Sequence, residues 1–509
     1  MAAARALGSF VAIAVAVACA NPVQTRLRTE AAPTTERIAA ELADARRETA
    51  EDPASARARA SRRRALASLL AVPEAELTGI AFAPRDAELR VVPTQRVRVE
   101  GLRHYQTPGD GLPVSLEGRA PPSPIPWAKF PPEGRFTPAT ALLSFPSTDC
   151  ARVSWVDPRR FDAARLEGRR LSLAADLTVP YSRLLDSARL TREGRTGLLR
   201  AFSKEREGLF LLEPYDPART PLLMVHGLGS SPSVWSALTN AVYGEPELRR
   251  HYQVWHYFYA TGVPYLWTSR EMRRTLRRTL EALGHDAGIV AVGHSMGGLL
   301  LKASISKSGD RLWREVFRVP PAKLRVSDAD RALLESLFWL NPMPSIERAI
   351  FVMSPHRGSD LAGGLAGALG NALIELPPEF TELFRRVAAS DADALRPRFR
   401  SYFEAGGPTS IRALAPDHPL LAPLADLPVP ANVRFHNVIG DVGDGSDDVV
   451  RVSSALLPGA DSTSLVPAGH TELEAPVVTE ELIELLRAAL PTVAGAPRVF
   501  TPDPTCDPA

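Results

Sequence analysis

GIVAVGHSMGGLLL, from Gly288 to Leu301, joins a strand pattern to a helix pattern with almost no residues between them. Gly288 to Val292 form a short apolar run typical of a buried strand, and the apolar spacing from Met296 onward is that of a helix. The junction is therefore a very tight turn, and it reads G-x-S-x-G from Gly293 to Gly297. Because glycine leaves room for neighbouring backbone and the serine stands at the apex, Ser295 is the candidate nucleophile.

The composition limits the classes of function. The chain has 509 residues, enough for two or three domains, and a formal net charge of +2 with 23% charged residues. This near balance argues against a nucleic-acid binder and gives no sign of a polyanionic partner. The three cysteines include no close pair of the kind that structural zinc sites use, so metal binding through thiolates is not predicted. No cofactor is predicted either.

The first twenty residues have the form of an export signal. Arg5 precedes an apolar run from Ala6 to Ala18, which is too short to span a bilayer comfortably. Ala16 to Cys19 resembles the lipobox of bacterial lipoproteins without its usual leucine, so lipidation of Cys19 and ordinary small-residue cleavage both remain open. In an exported protein Cys150 and Cys506 can pair, although the sequence does not say whether their geometry permits it.

The next two segments, 21–75 and 76–205, precede the motif region. In the first, the composition from Thr34 to Leu70 predicts two surface helices that are separated at Pro53. The arginine cluster at 57, 59, 62, 63 and 64 is interpreted as a solvated helix face in preference to a lipid-binding surface. In the second, we expect an accessory region whose final strands join the main sheet. Its predicted strands are Glu88–Val99, Ala141–Phe145 and Leu171–Leu177, with a proline-rich loop over Pro108–Pro138.

Residues 206–492 show apolar strand patterns alternating with helical ones, which predicts a mostly parallel sheet with covered faces. Two inserts, 308–345 and 361–430, are too long to be simple connections, and a proline-rich tail occupies 493–509. The inserts are expected at the edge of the sheet where the nucleophile lies. Five apolar residues of the first insert then either line an acyl pocket or form the core of the insert itself, which is the commoner arrangement: Trp313, Phe317, Leu337, Phe338 and Trp339.

A serine hydroxyl needs a base, a carboxylate that orients the base, and donors for the oxyanion. In the chain order nucleophile, acid, histidine, only His356, His418, His436 and His470 are available as the base. His470 follows a short apolar run and precedes the last predicted helix, the position expected of the base. His436 lies inside an apolar strand, His356 precedes every plausible acid, and His418 lies in a proline-rich insert.

The acid and the oxyanion donors come from two further loops. HGLGSS follows the apolar run Pro221 to Val225, so the backbone N–H groups of Leu228 and Met296 are the candidate oxyanion donors. Four aspartates between Asp441 and Asp448 follow another strand, and only one of them is needed to orient His470. An irregular calcium site is the alternative, although the EF-hand spacing is absent.

From about Leu209 to Leu490 the chain resembles bacterial α/β-hydrolases of the lipase/esterase superfamily. The resemblance rests on HGLGSS at 226–231, GHSMGG at 293–298, SPHRGSDLA at 354–362, SDDVVRVSSA at 446–455 and AGHTEL at 468–473. It implies an α/β-hydrolase fold with cap or lid inserts, and a triad of Ser295, Asp447 and His470. Related lipases usually have S-D-G-V-V in the fourth block. Because Asp448 replaces that glycine, Asp448 and Asp441 remain alternatives to Asp447.

The resemblance implies a serine hydrolase that acts on carboxylic esters. The N-terminal export signal predicts a place in the bacterial cell envelope, either anchored through Cys19 or free after export. A phospholipid or lipid-anchor deacylase, a thioesterase and an acyltransferase use the same triad, so they are alternative activities. A non-catalytic envelope scaffold is the alternative from another class. Neither the oligomeric state nor the role of the first two hundred residues can be predicted from the sequence.

Overall fold

The computed structural model describes residues 23–28, 32–72, 80–82, 88–123, 125–188, 206–286, 288–362, 376–405, 407–490 and 498–503. The predicted export signal over 1–20, with Cys19, and the cysteine at 506 lie outside these residues. The strands are β1 Gln24–Leu27, β2 Ile80–Phe82, β3 Arg90–Pro93, β4 Val97–Glu100, β5 Gln106–Thr107, β6 Leu112–Gly118, β7 Ala128–Lys129, β8 Arg135–Ser147, β9 Cys150–Val156, β10 Ala163–Leu166, β11 Arg169–Ser172, β12 Ala175–Asp176, β13 Gly208–Leu211, β14 Thr220–Val225, β15 Tyr252–Phe258, β16 Ile289–His294, β17 Ile346–Val352, β18 Arg434–Gly440, β19 Ser462–Val466 and β20 Val499–Phe500.

Helices cover the strands and form most of the inserts. Those before the inserts are α1 Thr35–Glu51, α2 Ala56–Leu69, α3 Thr178–Ala188, α4 Ser236–Gly244, α5 Pro246–His251, α6 Tyr265–Leu283 and α7 Met296–Ile305. The remaining ones are α8 Arg311–Val316, α9 Asp328–Phe338, α10 Pro378–Asp391, α11 Pro397–Glu404, α12 Ser410–Ala413, α13 Leu421–Ala425, α14 Val452–Ala455 and α15 Pro476–Arg487. Among the described residues, no helix combines the length and apolar character that a membrane span requires.

Eight strands form the main sheet, in the order β19-β18-β17-β16-β14-β15-β13-β7. All neighbouring pairs are parallel except β13 and β15. The five parallel strands β14 to β18 are almost entirely buried, which explains their continuous apolar sequences. The predicted α/β-hydrolase fold with a mostly parallel sheet is therefore confirmed.

Separate hydrophobic layers cover the two faces of this sheet. One layer contains Leu276 of α6 and Leu300 of α7, and it continues into the inserts. The other contains Leu238 of α4, Leu482 of α15 and Tyr181 of α3. Since both faces are covered, the loops at the carboxyl ends of the strands are left to build a site at one edge of the sheet.

The N-terminal part has a core of its own. Helix α1 ends before Pro53 and helix α2 begins after it, as the sequence predicts. The side-chain oxygens of Thr34 and Ser55 cap the N-termini of the two helices. These helices pack on a five-stranded sheet in the order β2-β9-β8-β6-β3. Leu66 of α2 belongs to the same buried hydrophobic cluster as Val114 and Val153 of the sheet. Strand β1, which the sequence did not predict, pairs with β4 as a separate two-stranded sheet.

Several expectations for the accessory region are wrong. Residues Glu88–Val99 do not form one strand, because a turn over Thr94–Arg96 divides β3 from β4 and sends them into different sheets. The predicted strand Leu171–Leu177 is likewise divided between β11 and β12. The proline-rich segment Pro108–Pro138 is not a loop, since it contains β6, β7 and the start of β8. Of the accessory strands, it is β7 that joins the main sheet, at its edge, and not the last strands of the region.

The C-terminal segment returns to the accessory region. Strand β20 pairs with β10, and Asp503 forms a 3.6 Å ion pair with Arg152 on β9. Cys150, two residues from Arg152, is disulfide-bonded, and its partner lies outside the described residues.

The two inserts pack against each other over the α6 and α7 side of the sheet. The N–H of Arg396 donates to the carbonyl of Val316 at 2.9 Å, and the N–H of Arg318 donates to that of Ala394 at 2.7 Å. Four of the five apolar residues singled out in the first insert are buried, and the rings of Trp313 and Phe317 stack with centroids 4.3 Å apart. These side chains therefore form the core of the insert, the commoner of the two arrangements expected for them.

Candidate active site

Ser295 stands alone between a strand and a helix, with β16 ending at His294 and α7 beginning at Met296. Its backbone has φ 52° and ψ −124°, a conformation that L-residues rarely adopt. A Cβ atom on Gly293 would lie 2.8 Å from the carbonyl carbon of Gly297, and one on Gly297 would lie 2.4 Å from the carbonyl oxygen of Val225. The glycines of G-x-S-x-G are thus required by close backbone contacts, which hold the serine in its strained position.

A continuous chain of hydrogen bonds connects three of the predicted residues. The Nε2 of His470 lies 3.0 Å from the Oγ of Ser295, and its Nδ1 lies 2.8 Å from an Oδ2 of Asp447. All three side chains are buried, with 6% of Ser295, 6% of His470 and 1% of Asp447 exposed. The structure therefore brings together a hydroxyl, an imidazole and a carboxylate that are distant in sequence, in the order that proton abstraction from the hydroxyl requires.

Of the three candidate acids, only Asp447 contacts His470. Its Oδ1 accepts hydrogen bonds from the N–H groups of Val449 and Val450, at 3.0 and 2.6 Å, which leaves Oδ2 for the imidazole. The N–H of His470 also donates to the backbone carbonyl of Asp447 at 2.8 Å. Asp447 and His470 are thus joined by one hydrogen bond between side chains and one between backbones, which fix the carboxylate and the imidazole relative to each other.

The other two candidate acids have different roles in the same loop. The Oδ1 of Asp441 accepts from the N–H groups of Gly443 and Gly445, so this carboxylate closes a turn. Asp448 is exposed and has φ 72°, in the left-handed region that glycine favours. Glycine is usual at this position in the resembling lipases, and aspartate is one of the few other residues that tolerate the conformation. Asp448 thus meets a backbone requirement and does not contact His470.

The aspartate loop also bears on the calcium alternative. In the described part of the chain, no three His, Cys, Asp or Glu side chains converge as metal ligands would. Asp441 and Asp444 accept hydrogen bonds within their own turns, and Asp447 faces His470. The carboxylates of this loop therefore point to different partners, which gives the calcium interpretation no support.

The HGLGSS loop lies directly against Ser295, the candidate nucleophile. A Cβ atom on Gly227 would lie 2.7 Å from the Cβ of Ser295, so the backbone of this loop touches the serine. Neither Leu228 nor Met296, among the described residues, has a hydrogen-bond acceptor for its N–H group. The N–H of the next residue, Gly229, donates to the Oγ1 of Thr261 at 3.0 Å, and this hydrogen bond fixes the position of the loop. The two N–H groups beside the serine are thus available to an oxyanion.

Two histidines with structural roles in the site were not found by the sequence analysis, which searched only beyond the nucleophile for a base. His226 is buried, and its ring stacks on Tyr259 with centroids 4.4 Å apart. The hydroxyl of Tyr259 donates to the carbonyl of His226 at 2.8 Å, which fixes the start of the oxyanion loop. Burial lowers the pKa of His226 to about 3, so it is a neutral structural group at ordinary pH.

His294 is the second of these histidines. Its Nε2 lies 3.0 Å from the backbone carbonyl oxygen of His470, and the two imidazole rings are 4.8 Å apart. Burial and the nearby His470 hold the pKa of His294 well below its usual value, so the ring is neutral and donates from Nε2. The only sequence feature that pointed to His294 was its position beside the serine in G-x-S-x-G. That position does not predict a contact with His470, which is 176 residues away in sequence.

The remaining candidate bases lie away from this chain of hydrogen bonds. His436 is on β18, where its Nδ1 lies 2.8 Å from the Oγ of Ser462, as expected of a satisfied core histidine. His356 and His418 are buried, and within the described residues the nitrogens of neither ring have a hydrogen-bond partner. Burial lowers the pKa of His418 to about 4, and that of His356 well below its usual value. None of the three contacts Ser295.

Comparison with known proteins identifies a family but no close relative. A family model described as "Alpha/beta hydrolase family" matches residues 222–482. No curated protein matches the chain. The matched span begins in β14 and ends in α15, so it includes the oxyanion loop, Ser295, Asp447 and His470.

Similar solved structures include two from named bacteria and one metagenomic protein. The mature form of a Bacillus licheniformis lipase is 17% identical, covering 55% of this chain and 97% of its own, with a TM-score of 0.34. An esterase from Exiguobacterium antarcticum is 13% identical over 56% of this chain and 97% of its own, with a TM-score of 0.30. A metagenomic carboxyl esterase is 16% identical over 54% of this chain and 77% of its own, with a TM-score of 0.30.

Proposed function

Because this chain belongs to the alpha/beta hydrolase family, we propose that it is a serine hydrolase that cleaves carboxylic esters through an acyl-enzyme formed on Ser295. The observation that carries the proposal is the hydrogen-bonded series from Ser295 through His470 to Asp447, with distances of 3.0 and 2.8 Å. The family hosts many chemistries on one fold, so this proposal rests on the site and not on the fold.

In the first half-reaction, the Oγ of Ser295 attacks the ester carbonyl carbon while the Nε2 of His470 takes the hydroxyl proton. Asp447 holds the Nδ1–H of the imidazole and stabilises the positive charge that forms there. The N–H groups of Leu228 and Met296 donate to the oxygen that becomes negative. When the carbon–oxygen bond to the alcohol breaks, His470 returns the proton to the leaving alkoxide, and the acyl group remains on Ser295.

In the second half-reaction, water takes the place of the alcohol. His470 removes a proton from water, the hydroxide attacks the acyl carbonyl, and the Ser295 oxygen leaves and recovers its proton from the imidazole. The products are the free acid and the regenerated enzyme. No step uses a metal ion or a cofactor.

The location of the protein is part of the proposal. Residues 1–20 have the form of an export signal, and Ala16 to Cys19 resembles a lipobox, so we propose that the mature protein is in the cell envelope and is anchored through Cys19. The disulfide at Cys150 supports export, because disulfides persist in oxidising compartments.

The test of the ester-hydrolase proposal is the hydrolysis of p-nitrophenyl esters from butyrate to palmitate by the wild type and Ser295→Ala. Ser306→Ala is the matched control, because Ser306 follows the same helix and its buried hydroxyl has no partner within the described residues. We expect activity in the wild type and the control, and its loss in Ser295→Ala. Equal rates in all three, or none with and without added lipid, would refute the proposal.

The same proteins separate the alternative activities. Phospholipid vesicles in place of soluble esters identify a lipid deacylase, acyl-thioesters identify a thioesterase, and an added alcohol that captures the acyl group identifies an acyltransferase. A fluorophosphonate probe that labels the wild type but not Ser295→Ala distinguishes all of these enzymes from a scaffold without catalytic activity.

A further inference from the structure

Strands β1 and β4 form a two-stranded ribbon with two unlike faces. The residues pair as Thr25 with Val99, Arg26 with Arg98, and Leu27 with Val97. The inner face packs on α3: the Oγ1 of Thr25 donates to Asp186 at 2.7 Å, and Val97 is buried in a cluster with Val179. Because alternate residues of a strand point to opposite faces, Arg26 and Arg98 lie together on the outer face.

This outer face carries two successive pairs of arginines. The N–H of Arg28 donates to the carbonyl of Arg96 at 2.8 Å, so the antiparallel register continues and Arg28 lies opposite Arg96. We call Arg26, Arg28, Arg96 and Arg98 the arginine ribbon. Like charges directly opposite each other destabilise a pair of strands, so the arrangement is unfavourable without a counter-charge.

Two of the four arginines lack a counter-charge within the described residues. Arg98 forms a 3.4 Å ion pair with Glu100, and both side chains are largely exposed. Arg26 and Arg28 are exposed, and within the described residues neither has an acidic partner. Exposed arginines without counter-charges favour an anionic lipid surface.

The position of the ribbon in the chain indicates the same partner. Gln24, where β1 begins, follows Cys19 by five residues, a span of at most about 18 Å even when fully extended. A chain anchored at Cys19 therefore holds the ribbon close to the lipid headgroups, where each basic residue interacts with anionic lipid. We propose that the arginine ribbon binds the anionic headgroups of the membrane to which the protein is attached. The inference rests on the proposed envelope location, but not on the proposed catalytic activity.

Vesicle binding tests this proposal on the full chain carrying Cys19→Ala, which removes the lipid. The probes are phosphatidylcholine vesicles with and without about one third phosphatidylglycerol, in flotation assays at low and physiological salt. The ribbon variant is Arg26→Gln/Arg28→Gln/Arg98→Gln. The matched control, with the same loss of charge, is Arg59→Gln/Arg63→Gln/Arg64→Gln on α2, whose arginines are also exposed. Because the apolar run over 6–18 inserts into neutral and anionic vesicles alike, the contribution of the ribbon is measured as the difference in binding between the two kinds of vesicle.

We expect the wild-type ribbon to bind anionic vesicles more tightly than neutral ones, with the difference decreasing as salt increases. Three arginines at about fivefold each give up to about a hundredfold weaker binding for the ribbon variant, from the usual contribution of a basic residue near a membrane surface. The control should bind as the wild type does. Unchanged binding by the ribbon variant, an equal loss in the control, or no preference of the wild type for anionic vesicles would each overturn the proposal.

A loss of binding must also be separated from a loss of folding. Replacing Arg26 and Arg28 removes like-charge repulsion, so the thermal midpoint of the ribbon variant should equal or exceed that of the wild type. If its midpoint falls instead, binding is compared between the wild type and the single variants Arg26→Gln and Arg28→Gln, each of which should then lose several-fold in binding. Because these readouts need no enzyme activity, failure of the ribbon proposal and failure of the ester-hydrolase proposal are distinguishable.

Discussion

The imidazole of His294 donates a hydrogen bond from Nε2 to the backbone carbonyl oxygen of His470, across a distance of 3.0 Å. The residue before Ser295, the proposed nucleophile, thus holds the main chain of His470, the proposed base. The contact joins the last residue of β16 to the loop after β19, two segments that lie close together only because their strands belong to one sheet. His294 therefore helps to hold His470 in place beside Ser295, although His294 itself takes no part in the proposed proton transfer.

We expect His294→Phe to lower kcat by about ten- to a hundredfold, because a small displacement of His470 disturbs proton transfer more than substrate binding. KM should change little, which separates this positioning role from a general loss of the site. His294→Gln retains a side-chain donor and should recover part of the rate. Steady-state kinetics on a soluble ester, with thermal unfolding to verify folding, measures both variants. A fall in KM and kcat that is the same for Phe and Gln would contradict the positioning role.

The choice of Asp447 over its neighbours can be tested by removing one charge at a time. Asp447→Asn should lower kcat by about four orders of magnitude, because an amide favours the wrong tautomer of His470. Asp441→Asn and Asp448→Asn carry the same loss of charge in the same loop and should remain within a few-fold of the wild type. If either of these controls loses as much activity as Asp447→Asn, the hydrogen bond at 2.8 Å is not the functional one.

The contact between the oxyanion loop and the nucleophile predicts different effects for two nearby glycines. A Cβ atom on Gly227 would lie 2.7 Å from the Cβ of Ser295, so Gly227→Ala must displace the serine or the loop, and kcat should fall at least a hundredfold. Gly469 lies directly before His470, but its nearest contact for a Cβ atom is 3.6 Å away and its φ is not positive. Gly469→Ala should therefore leave kcat within a few-fold, as measured beside Gly227→Ala on the same ester.

The central strands and the hydrogen-bonded series Ser295, His470 and Asp447 could be predicted because their signals are local or depend on chain order. The apolar runs of β14 to β18 are almost wholly buried, and the elbow lies where G-x-S-x-G follows one of these runs. His470 was found because it follows a late strand and precedes the last helix. The contacts of His226 and His294 could not be predicted, because each depends on a partner that only the folded sheet brings close.

The accessory region was predicted less well because its proline content and its hydrophobic alternation do not agree with the strand pairing that the structure shows. Prolines over Pro108–Pro138 indicate a loop, yet Pro113 and Pro138 lie within β6 and β8, opposite Thr140 and Ser115. The alternation from Glu88 to Val99 continues through a turn, so periodicity alone cannot show that β3 and β4 enter different sheets. Strand identity in this region is decided by tertiary pairing more than by sequence pattern.

Buried neutral histidines predict a loss of stability in mild acid. Burial lowers the pKa of His226 and His256 to about 3 and that of His418 to about 4, whereas in the unfolded chain histidine titrates near 6.5. Between pH 6.5 and about 4 the unfolded chain therefore binds more protons than the folded one, so stability rises with pH across this window and is complete above it. Each histidine contributes a slope of up to about 1.4 kcal/mol per pH unit.

His418→Phe isolates one of these contributions. The His418 ring lies among aromatic residues, 5.7 Å from Tyr402, and neither ring nitrogen has a partner within the described residues. Phenylalanine has a ring of similar shape but no nitrogens that lack a hydrogen-bond partner, so the variant should be at least as stable as the wild type at pH 7. From pH 6.5 down to 5 its advantage should grow by about 2 kcal/mol, since one fewer group must be kept neutral. Urea unfolding at several pH values measures both free energies of unfolding. Parallel curves for the two proteins would show that His418 takes up its proton in the folded state as readily as in the unfolded chain.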